Sequence, residues 1–394
     1  MTELGSCPPI SQPLSPSALE ALAACPFCFL AEKLWHYKEA DEPEEELSAL
    51  DKGGLWHTLL ATFYREQLDA ARKAGRLVAC LDAGQKARYL ARLRDIAKQL
   101  LADAPARVFV GPPGLWNLQR EQIEAALEAW LNHELFLCSD KEKAFHPAEV
   151  EFSFGARSSH RVPPVNVPIV LPGEIGGHDS QFSPSGRPRM TELGSCPPIS
   201  LTYVLPLEGR LDRLDLRLDD PDSAQPLVTA VRVLDYKLGR SANHKDDVKE
   251  EVLSALLAAQ LPVYLKAAME FVKALETQKR VRVDWGKVWQ ESQAAYYCLR
   301  DIPSRLRGKK PALLAILKWP GPDLRAFLSG DDTIAAGSLF DAVRTKVLEM
   351  LQGHFPVHPP ECRSTSCAAR FVCRYQAVPA ESDTGEGGRK RGGS

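Results

Sequence analysis

The sequence contains no long apolar run, no excess of charge of either sign and no phosphate-binding loop. A membrane-spanning helix needs about 18 consecutive apolar residues, and no stretch approaches that length. The 49 Lys and Arg residues are balanced by 51 Asp and Glu residues, which excludes a histone-like polycation but allows a local basic groove. The pattern G-x-x-x-x-G-K-[ST] is absent, which excludes a P-loop ATPase motor from this chain.

The segment MTELGSCPPISQPLS has neither the basic nor the apolar region of a secretory signal, so we do not expect secretion. We therefore expect a cytoplasmic protein that does not contact membranes. In that compartment the 10 cysteines are more readily explained as metal ligands or buried thiols than as disulfides. The 394 residues are 44% hydrophobic, which is enough to build a core without a covalent staple.

Predicted helices and strands alternate along the chain, as is typical of an α/β fold. Ser15 and Pro16 form a helix-start signal for a helix at 16–24. Helical spacing of apolar residues predicts further helices at 54–73, at 80–137 with a break at 110–114, at 248–275 and at 339–351. Alternating or apolar runs predict strands at 149–154, 207–218, 227–238 and 294–300.

Two segments show no periodicity. Residues 156–200 are rich in Pro, Gly, Ser and His, and we expect a long loop there. Within it, residues 190–200 repeat residues 1–11 letter for letter as MTELGSCPPIS, which indicates a recent duplication or an error of gene assembly. Residues 377–394 end in a Gly- and charge-rich stretch and are expected to be a disordered tail.

Two predicted strands carry an unusual arrangement of charge. Alternate strand residues share a face, so Asp212 is a carboxylate on the face that also holds Leu214, Leu216 and Leu218. The opposite face carries Arg213, Asp215 and Arg217, and we expect this charged face to be in contact with solvent.

The second of these strands ends in Asp235 and Lys237 on one face. Pairing the strands as a hairpin with Leu218 opposite Thr229 places Asp212 opposite Asp235. Two opposed carboxylates repel each other unless a cation lies between them, and oxygen ligands suit Mg²⁺ or Mn²⁺. The alternative is an ordinary strand-end ion pair of Asp235 with Lys237, with Asp212 facing solvent.

These residues resemble the PD-(D/E)XK nuclease superfamily, and particularly its RecB/AddB-type branch. Gly209-x-x-Asp212 and the run D-Y-K-L-G at 235–239 are similar to the family core. Three further similarities follow the family order: G-x-x-x-H-x-x-L at 53–60, E-F-S-F-G at 151–155 and Q-L-P-V-Y-L at 260–265.

The resemblance implies an α/β fold, in which a restriction-endonuclease-like core has a central mixed sheet flanked by helices. It covers most of the chain and implies a single nuclease domain over residues 12–376. A helical insertion is expected at about 75–145, in addition to the loop insertion at about 156–200. The two chain ends would be held together by cysteines.

The same resemblance implies roles for the site residues. Asp212 and Asp235 would hold Mg²⁺ or Mn²⁺, with His57 and Glu151 completing or supporting the metal shell. Glu149 is an alternative to Glu151, and His57 could instead be a hydrogen-bonded core residue.

The remaining implied catalytic residues surround the phosphate. Lys237 would serve the attacking water, and Gln260 and Tyr264 would orient Lys237 or the scissile phosphate. A buried Gln260 needs a hydrogen-bond partner, which Lys237 or a water could supply, and Tyr264 could be simple packing.

The cysteine spacing resembles the iron–sulfur staple of AddB-type nucleases. In that family an early cysteine joins three late ones around a 4Fe–4S cluster, which implies the ligands Cys25, Cys362, Cys367 and Cys373. The first late interval is C-x4-C where the family usually has C-x2-C, and Cys28 is a substitute for Cys362. Zinc is the alternative occupant of four cysteines.

The expected function is therefore that of a metal-dependent deoxyribonuclease. The resemblance implies exonuclease action on single-stranded or duplex DNA ends in repair or recombination, with a separate helicase as a partner. One alternative is a non-cleaving DNA-binding subunit of a helicase–nuclease complex. Another is a nuclease of the CRISPR-adaptation type.

Overall fold

A computed structural model describes residues 13–37, 45–140, 143–156, 158, 162–171, 201–239, 247, 249, 252–253, 255–301, 313–315, 324–328, 337–356 and 373. The helices are α1 (Pro16–Ala24), α2 (Pro26–Phe29), α3 (Ala49–Lys73), α4 (Lys86–Asp103), α5 (Pro113–Leu137), α6 (Gln260–Thr277), α7 (Trp285–Glu291), α8 (Leu324–Leu328) and α9 (Leu339–Leu351). The strands are β1 (His146–Phe154), β2 (Val165–Leu171), β3 (Leu201–Leu207), β4 (Gly209–Asp219), β5 (Leu227–Lys237), β6 (Arg282–Val283), β7 (Gln293–Cys298) and β8 (Leu313–Ala315).

Within the described residues, six strands form one mixed sheet. Its order is β1-β4-β5-β7-β8, with β6 beside β5. The pairs β1–β4, β4–β5 and β7–β8 are antiparallel, whereas β5 is parallel to β6 and β7. The central strand β5 is buried over nine consecutive residues, as expected for a strand covered on both faces.

Helices cover both faces of this sheet. On one face, apolar residues of α1, α6 and α9 share a core with β2, β3 and the Leu214 side of β4. On the other face, α3, α4 and α5 form a second core with Leu234 and Tyr236 of β5. The predicted α/β fold with a central mixed sheet flanked by helices is therefore confirmed.

The prediction of a continuous loop at 156–200 is wrong in part, because this segment contains a strand. Residues 165–171 form β2, which pairs antiparallel with β3. Val165, Val167 and Ile169 are buried and alternate with the less buried Asn166 and Pro168, which is the period-two pattern of a strand. The duplicated segment at 190–200 and the tail at 377–394 lie outside the described residues.

Helix α3 begins five residues earlier than its apolar spacing predicts. The Ser48 side chain accepts a hydrogen bond of 2.8 Å from the backbone amide of Asp51 and so caps the helix. The predicted start of α1 is confirmed, since the Ser15 side chain accepts a hydrogen bond of 3.1 Å from the amide of Ala18. Within the described residues, no helix is long and apolar enough to span a membrane.

The charged face of β4 is buried, so the prediction that it contacts solvent is wrong. Arg213 is 1% exposed and Asp215 is fully buried. The Arg213 guanidinium binds Asp215 through two hydrogen bonds of 2.7 and 2.9 Å, and its Nη1 donates to Glu134 Oε2 of α5 at 2.8 Å. Tyr64 of α3 also donates to Glu134. Helices α3 and α5 therefore pack on this face and supply the partners that burial of its charges requires.

Candidate active site

The pairing of β4 with β5 brings the two predicted metal-binding aspartates together. Antiparallel pairs run from Arg213–Leu234 to Arg217–Ala230, and the next position of that register places Asp212 opposite Asp235. A bulge at Arg217 shifts Leu218 onto Val228, so the predicted pairing of Leu218 with Thr229 is wrong. The bulge lies at the far end of the hairpin and leaves the aspartates level with each other.

A third carboxylate extends this row onto β1. Glu151 lies between the β1–β4 pairs Val150–Arg213 and Phe152–Leu211, level with Asp212. Glu151 has a φ of 49°, a left-handed conformation that is uncommon for a residue other than glycine. Side-chain carboxylates therefore occupy the same level on three adjacent strands, and the backbone is strained at one of them.

His57 of α3 reaches this row from outside the sheet. Its Nδ1 lies 2.9 Å from Asp212 Oδ1. One ligand atom each from His57, Glu151 and Asp212 lies within 4.8 Å of the others, and all three residues are half-buried. Asp212 Oδ2 meanwhile accepts a hydrogen bond of 2.6 Å from the backbone amide of Tyr236, which fixes the carboxylate against β5.

The charges of this cluster act on one another. Burial lowers the pKa of His57, but the hydrogen bond and the charge of Asp212 raise it by more, so the net pKa is above its ordinary value. Burial raises the pKa of Glu151, with Arg210 and His57 acting against the rise. Arg210 Nε lies 3.0 Å from Glu151 Oε2. The rival residue Glu149 instead pairs with Arg72 at 2.7 Å.

Asp235 and Lys237 form the other half of the site. Lys237 Nζ lies 2.6 Å from Asp235 Oδ2, and Asp235 is 8% exposed. Burial raises the pKa of Asp235 to about 6; the Lys237 ammonium opposes the rise and the Asp212 carboxylate adds to it. Burial lowers the pKa of Lys237, but Asp235 raises it by more, so the ammonium keeps its proton at neutral pH.

Gln260 finds a partner that the sequence did not indicate. Its backbone and side-chain amides both donate to the carboxylate of Glu20 of α1. Burial raises the pKa of Glu20 to about 7, and Lys237 and Asp235 are among the charges that act on it. Glu20 is the single charged residue of α1, and that isolation is the signal that could have identified it.

Tyr264 follows Gln260 by one helical turn of α6. It is buried, and its ring packs edge-to-face on Phe154 of β1 with centroids 6.2 Å apart. Burial raises the pKa of Tyr264, and the charges of Asp235 and Asp212 raise it further, so the phenol remains protonated. The predicted site residues His57, Glu151, Asp212, Asp235, Lys237, Gln260 and Tyr264 thus converge at one end of the central strands.

The predicted iron–sulfur ligands are only partly described. Cys25 lies between α1 and α2, and both it and Cys373 are half-buried free thiols. Cys362 and Cys367 lie outside the described residues. Cys28, the substitute ligand, donates a hydrogen bond of 3.0 Å to Glu32 within its own helical segment.

Comparison with known proteins assigns a family to this arrangement. The family model described as the PD-(D/E)XK nuclease superfamily matches residues 13–374. The chain belongs to the PD-(D/E)XK nuclease superfamily. Comparison with curated proteins gave no match. The superfamily assignment agrees with the mixed sheet and with the acidic cluster at the ends of its strands.

Proposed function

We propose that this PD-(D/E)XK protein is a Mg²⁺- or Mn²⁺-dependent deoxyribonuclease. The observation that carries the proposal is the row Glu151, Asp212 and Asp235 on three adjacent strands, with His57 at one side and Lys237 at the other. A row of carboxylates is costly to hold together without a cation, and a neighbouring ammonium supplies only part of the missing charge.

The donor set suits a hard divalent cation. His57, Glu151 and Asp212 offer one nitrogen and two carboxylates within 4.8 Å, and Asp235 adds a further oxygen from the neighbouring strand. No thiol belongs to this described set, which favours Mg²⁺ or Mn²⁺ over softer metals. When bound, such an ion polarises a phosphoryl oxygen and lowers the pKa of a water molecule.

Lys237 is the residue that we assign to the reacting phosphate. Because Asp235 keeps it protonated, it is a hydrogen-bond donor that orients the attacking water and stabilises charge on the phosphoryl oxygens. The Gln260–Glu20 pair is assigned to hold the start of α6 beside Lys237. Tyr264, a protonated phenol, is assigned to donate a hydrogen bond to a phosphate oxygen.

The reaction is phosphodiester hydrolysis. Water adds to the phosphorus, the bond from phosphorus to the 3′ oxygen breaks, and that oxygen takes up a proton. The products are a 5′-phosphate and a 3′-hydroxyl end. On the RecB/AddB-type resemblance, we propose that the protein acts as an exonuclease in DNA repair or recombination, in partnership with a separate helicase.

We also propose that Cys25, Cys362, Cys367 and Cys373 bind a 4Fe–4S cluster. The support is the cysteine spacing together with the position of Cys25, a half-buried free thiol that directly follows α1. A cluster there would tie the C-terminal region of the chain to α1, the helix that carries Glu20.

The test is degradation of end-labelled linear DNA by anaerobically purified protein with Mg²⁺, Mn²⁺ or EDTA. Lys237→Ala is compared with Lys273→Ala, which removes an exposed lysine of α6. We expect metal-dependent cutting that Lys237→Ala abolishes and Lys273→Ala retains, and labelled mononucleotides would identify an exonuclease. If folded, metal-supplied protein leaves both single-stranded and duplex DNA intact, the nuclease proposal is overturned. The alternative of a non-cleaving DNA-binding subunit would then remain.

A further inference from the structure

Arg210 of β4 borders the carboxylate row on its solvent side. Its Nε lies 3.0 Å from Glu151 Oε2, so the guanidinium adjoins one of the three residues of the candidate metal cluster. The Arg210 side chain is 69% exposed, whereas the Glu151 side chain is 15% exposed. The arginine therefore approaches the cluster from solvent and leaves most of its surface open to a ligand.

Arg210 has a counterpart at the other end of the row. Lys237 lies against Asp235 on β5, and Arg210 lies against Glu151 on β1. Strand β4 separates β1 from β5, so these two carboxylates are two strand spacings apart, which is roughly 10 Å. One DNA strand carries a phosphate for about every 3.4 Å of helix axis. A strand that lies across the row therefore presents different phosphates to the two cations.

A second arginine and a phenol act at the same end of the row as Arg210. Arg65 is an exposed residue of α3, eight positions after His57. Burial raises the pKa of Glu151, and the charges of Arg210 and Arg65 both oppose the rise. Burial also raises the pKa of Tyr264, and the charge of Arg210 opposes that rise as well. Two cations therefore lie close enough to act on the β1 end of the row, and one of them acts on the phenol that we assign to a phosphate oxygen.

Stability alone does not explain the pair of Arg210 with Glu151. A solvent-exposed ion pair contributes little to the free energy of unfolding. Glu151 also has a left-handed φ of 49°, and such unfavourable conformations cluster at functional sites. If Glu151 binds a divalent cation, the guanidinium beside it is left with an excess of positive charge, which a further anion must balance. On the proposed function, that anion is a DNA phosphate.

We propose that Arg210, together with Arg65, binds a backbone phosphate of the DNA strand that flanks the phosphate at Lys237. A guanidinium presents its N–H donors in a fork, so Nε can contact Glu151 while other N–H groups bind phosphate oxygens. The contact would hold the strand across the carboxylate row without reading its sequence. The inference rests on the proposed function and adds a substrate-binding residue to it.

The test measures DNA binding in EDTA, so that cleavage does not enter the result. Fluorescence anisotropy follows a labelled single strand of about 12 nucleotides over a series of salt concentrations. We expect Arg210→Ala to bind about 5-fold more weakly than wild type. It should also reduce the slope of log affinity against log salt by about 0.7, the value for one phosphate contact on a single strand. Arg65→Ala should reduce the slope in the same direction, and Arg210→Lys, which keeps the charge, should restore it.

Arg72 of α3 supplies a matched control. It pairs at 2.7 Å with Glu149, two residues before Glu151 on β1, and its side chain is 45% exposed. Arg72→Ala removes the same kind of exposed pair outside the cluster, so affinity and slope should both stay at the wild-type values. The thermal midpoints of Arg72→Ala and Arg210→Ala should be similar, because each variant loses one exposed ion pair.

Two further measurements separate DNA binding from support of Glu151. Calorimetric titration should show that Arg210→Ala binds Mn²⁺ at least as tightly as wild type, because a cation beside a metal ligand has been removed. In Mg²⁺, the KM of Arg210→Ala for DNA should rise about 5-fold with kcat nearly unchanged, because a contact to a flanking phosphate is equal in the ground state and the transition state.

Equal affinity and equal salt slope in Arg210→Ala and Arg72→Ala would overturn the proposal. Weaker Mn²⁺ binding with an unchanged slope would also overturn it, because Arg210 would then only support Glu151. Failure of the nuclease is distinguishable from failure of this contact. DNA binding that depends on Arg210 without cleavage would retain the contact and overturn the nuclease. Cleavage with the wild-type KM in Arg210→Ala would retain the nuclease and overturn the contact.

Discussion

Gln260 donates two hydrogen bonds to Glu20, from its backbone amide to Oε1 at 2.9 Å and from its side-chain amide to Oε2 at 2.7 Å. The two residues are 240 positions apart in the chain. Their contact joins the first described helix, α1, to the start of α6 beside Lys237. The N-terminal helix is therefore part of the candidate active site as well as of the core.

Glu20→Gln should change how stability depends on pH. The pKa of Glu20 is raised from 4.5 to about 7, so the folded protein holds this proton more tightly than the unfolded chain does. Above pH 7 the partly buried Glu20 side chain is charged in the folded protein, which is unfavourable because burial disfavours the carboxylate. Wild type should therefore lose stability relative to Glu20→Gln as the pH rises from 4.5 through 7, by about 3 kcal/mol in all. Urea unfolding in EDTA across this range measures the difference, and a difference that is constant with pH would contradict it.

On the proposed function, Glu151→Gln should weaken Mn²⁺ binding by at least about 10-fold, because it replaces a charged carboxylate ligand by a neutral amide. Glu149→Gln is the matched control, two residues away on β1, where the side chain pairs with Arg72 outside the cluster. Calorimetric titration with Mn²⁺ measures both affinities. Equal affinities of the two variants would remove Glu151 from the metal shell.

Glu134→Gln should destabilise the protein by about 3 kcal/mol, because it leaves the buried Arg213 charge without one of its two carboxylate partners. On the exposed side of the same helix, Glu128 forms a surface ion pair with Lys86 at 3.1 Å. Glu128→Gln should cost less than about 0.5 kcal/mol. Denaturant unfolding of the two variants gives the comparison, and similar losses would argue against a special role for the buried charges.

Cys373→Ser should abolish the iron and the broad visible absorbance of anaerobically purified protein, if Cys373 is a cluster ligand. Cys80→Ser is the control, because burial raises the pKa of the Cys80 thiol and disfavours the thiolate that iron binds. Iron and sulfide analysis of both variants is the measurement. If the wild-type protein contains zinc and no iron, the 4Fe–4S proposal is overturned, and a zinc site formed by the same cysteines would replace it.

Local patterns in the sequence were sufficient for most of the fold. Ser15 and Pro16 start α1 as predicted, and the alternation in β4 and β5 gives their register up to the bulge at Arg217. The bulge is a backbone irregularity with no residue signal of its own. Strand β2 was missed because Pro168 and the polar surroundings masked its alternating valines.

Site residues that lie on one strand could be predicted from the sequence. Contacts between residues far apart in the chain could be predicted less well. Asp235 and Lys237 lie on a single face of β5, so spacing alone brings them together. Its isolated charge distinguishes Glu20 within α1, but its partner Gln260 was not predictable, because the packing of α1 against α6 is a long-range contact that no local pattern encodes. The burial of Arg213 was missed for the same reason, since the covering helices come from earlier in the chain.

The buried pair of Arg213 with Glu134 links the assembly of the fold to the assembly of the site. Asp212 and Arg213 are neighbours on β4 and face opposite sides of the sheet, one toward the carboxylate row and one toward α5. The helix that covers Arg213 with Tyr64 is α3, and α3 also delivers His57 to Asp212. A chain whose α3 has not docked lacks both a partner of Arg213 and the contact of His57 with Asp212. On the proposed function, the capacity to cut DNA would therefore depend on the docking of this helix.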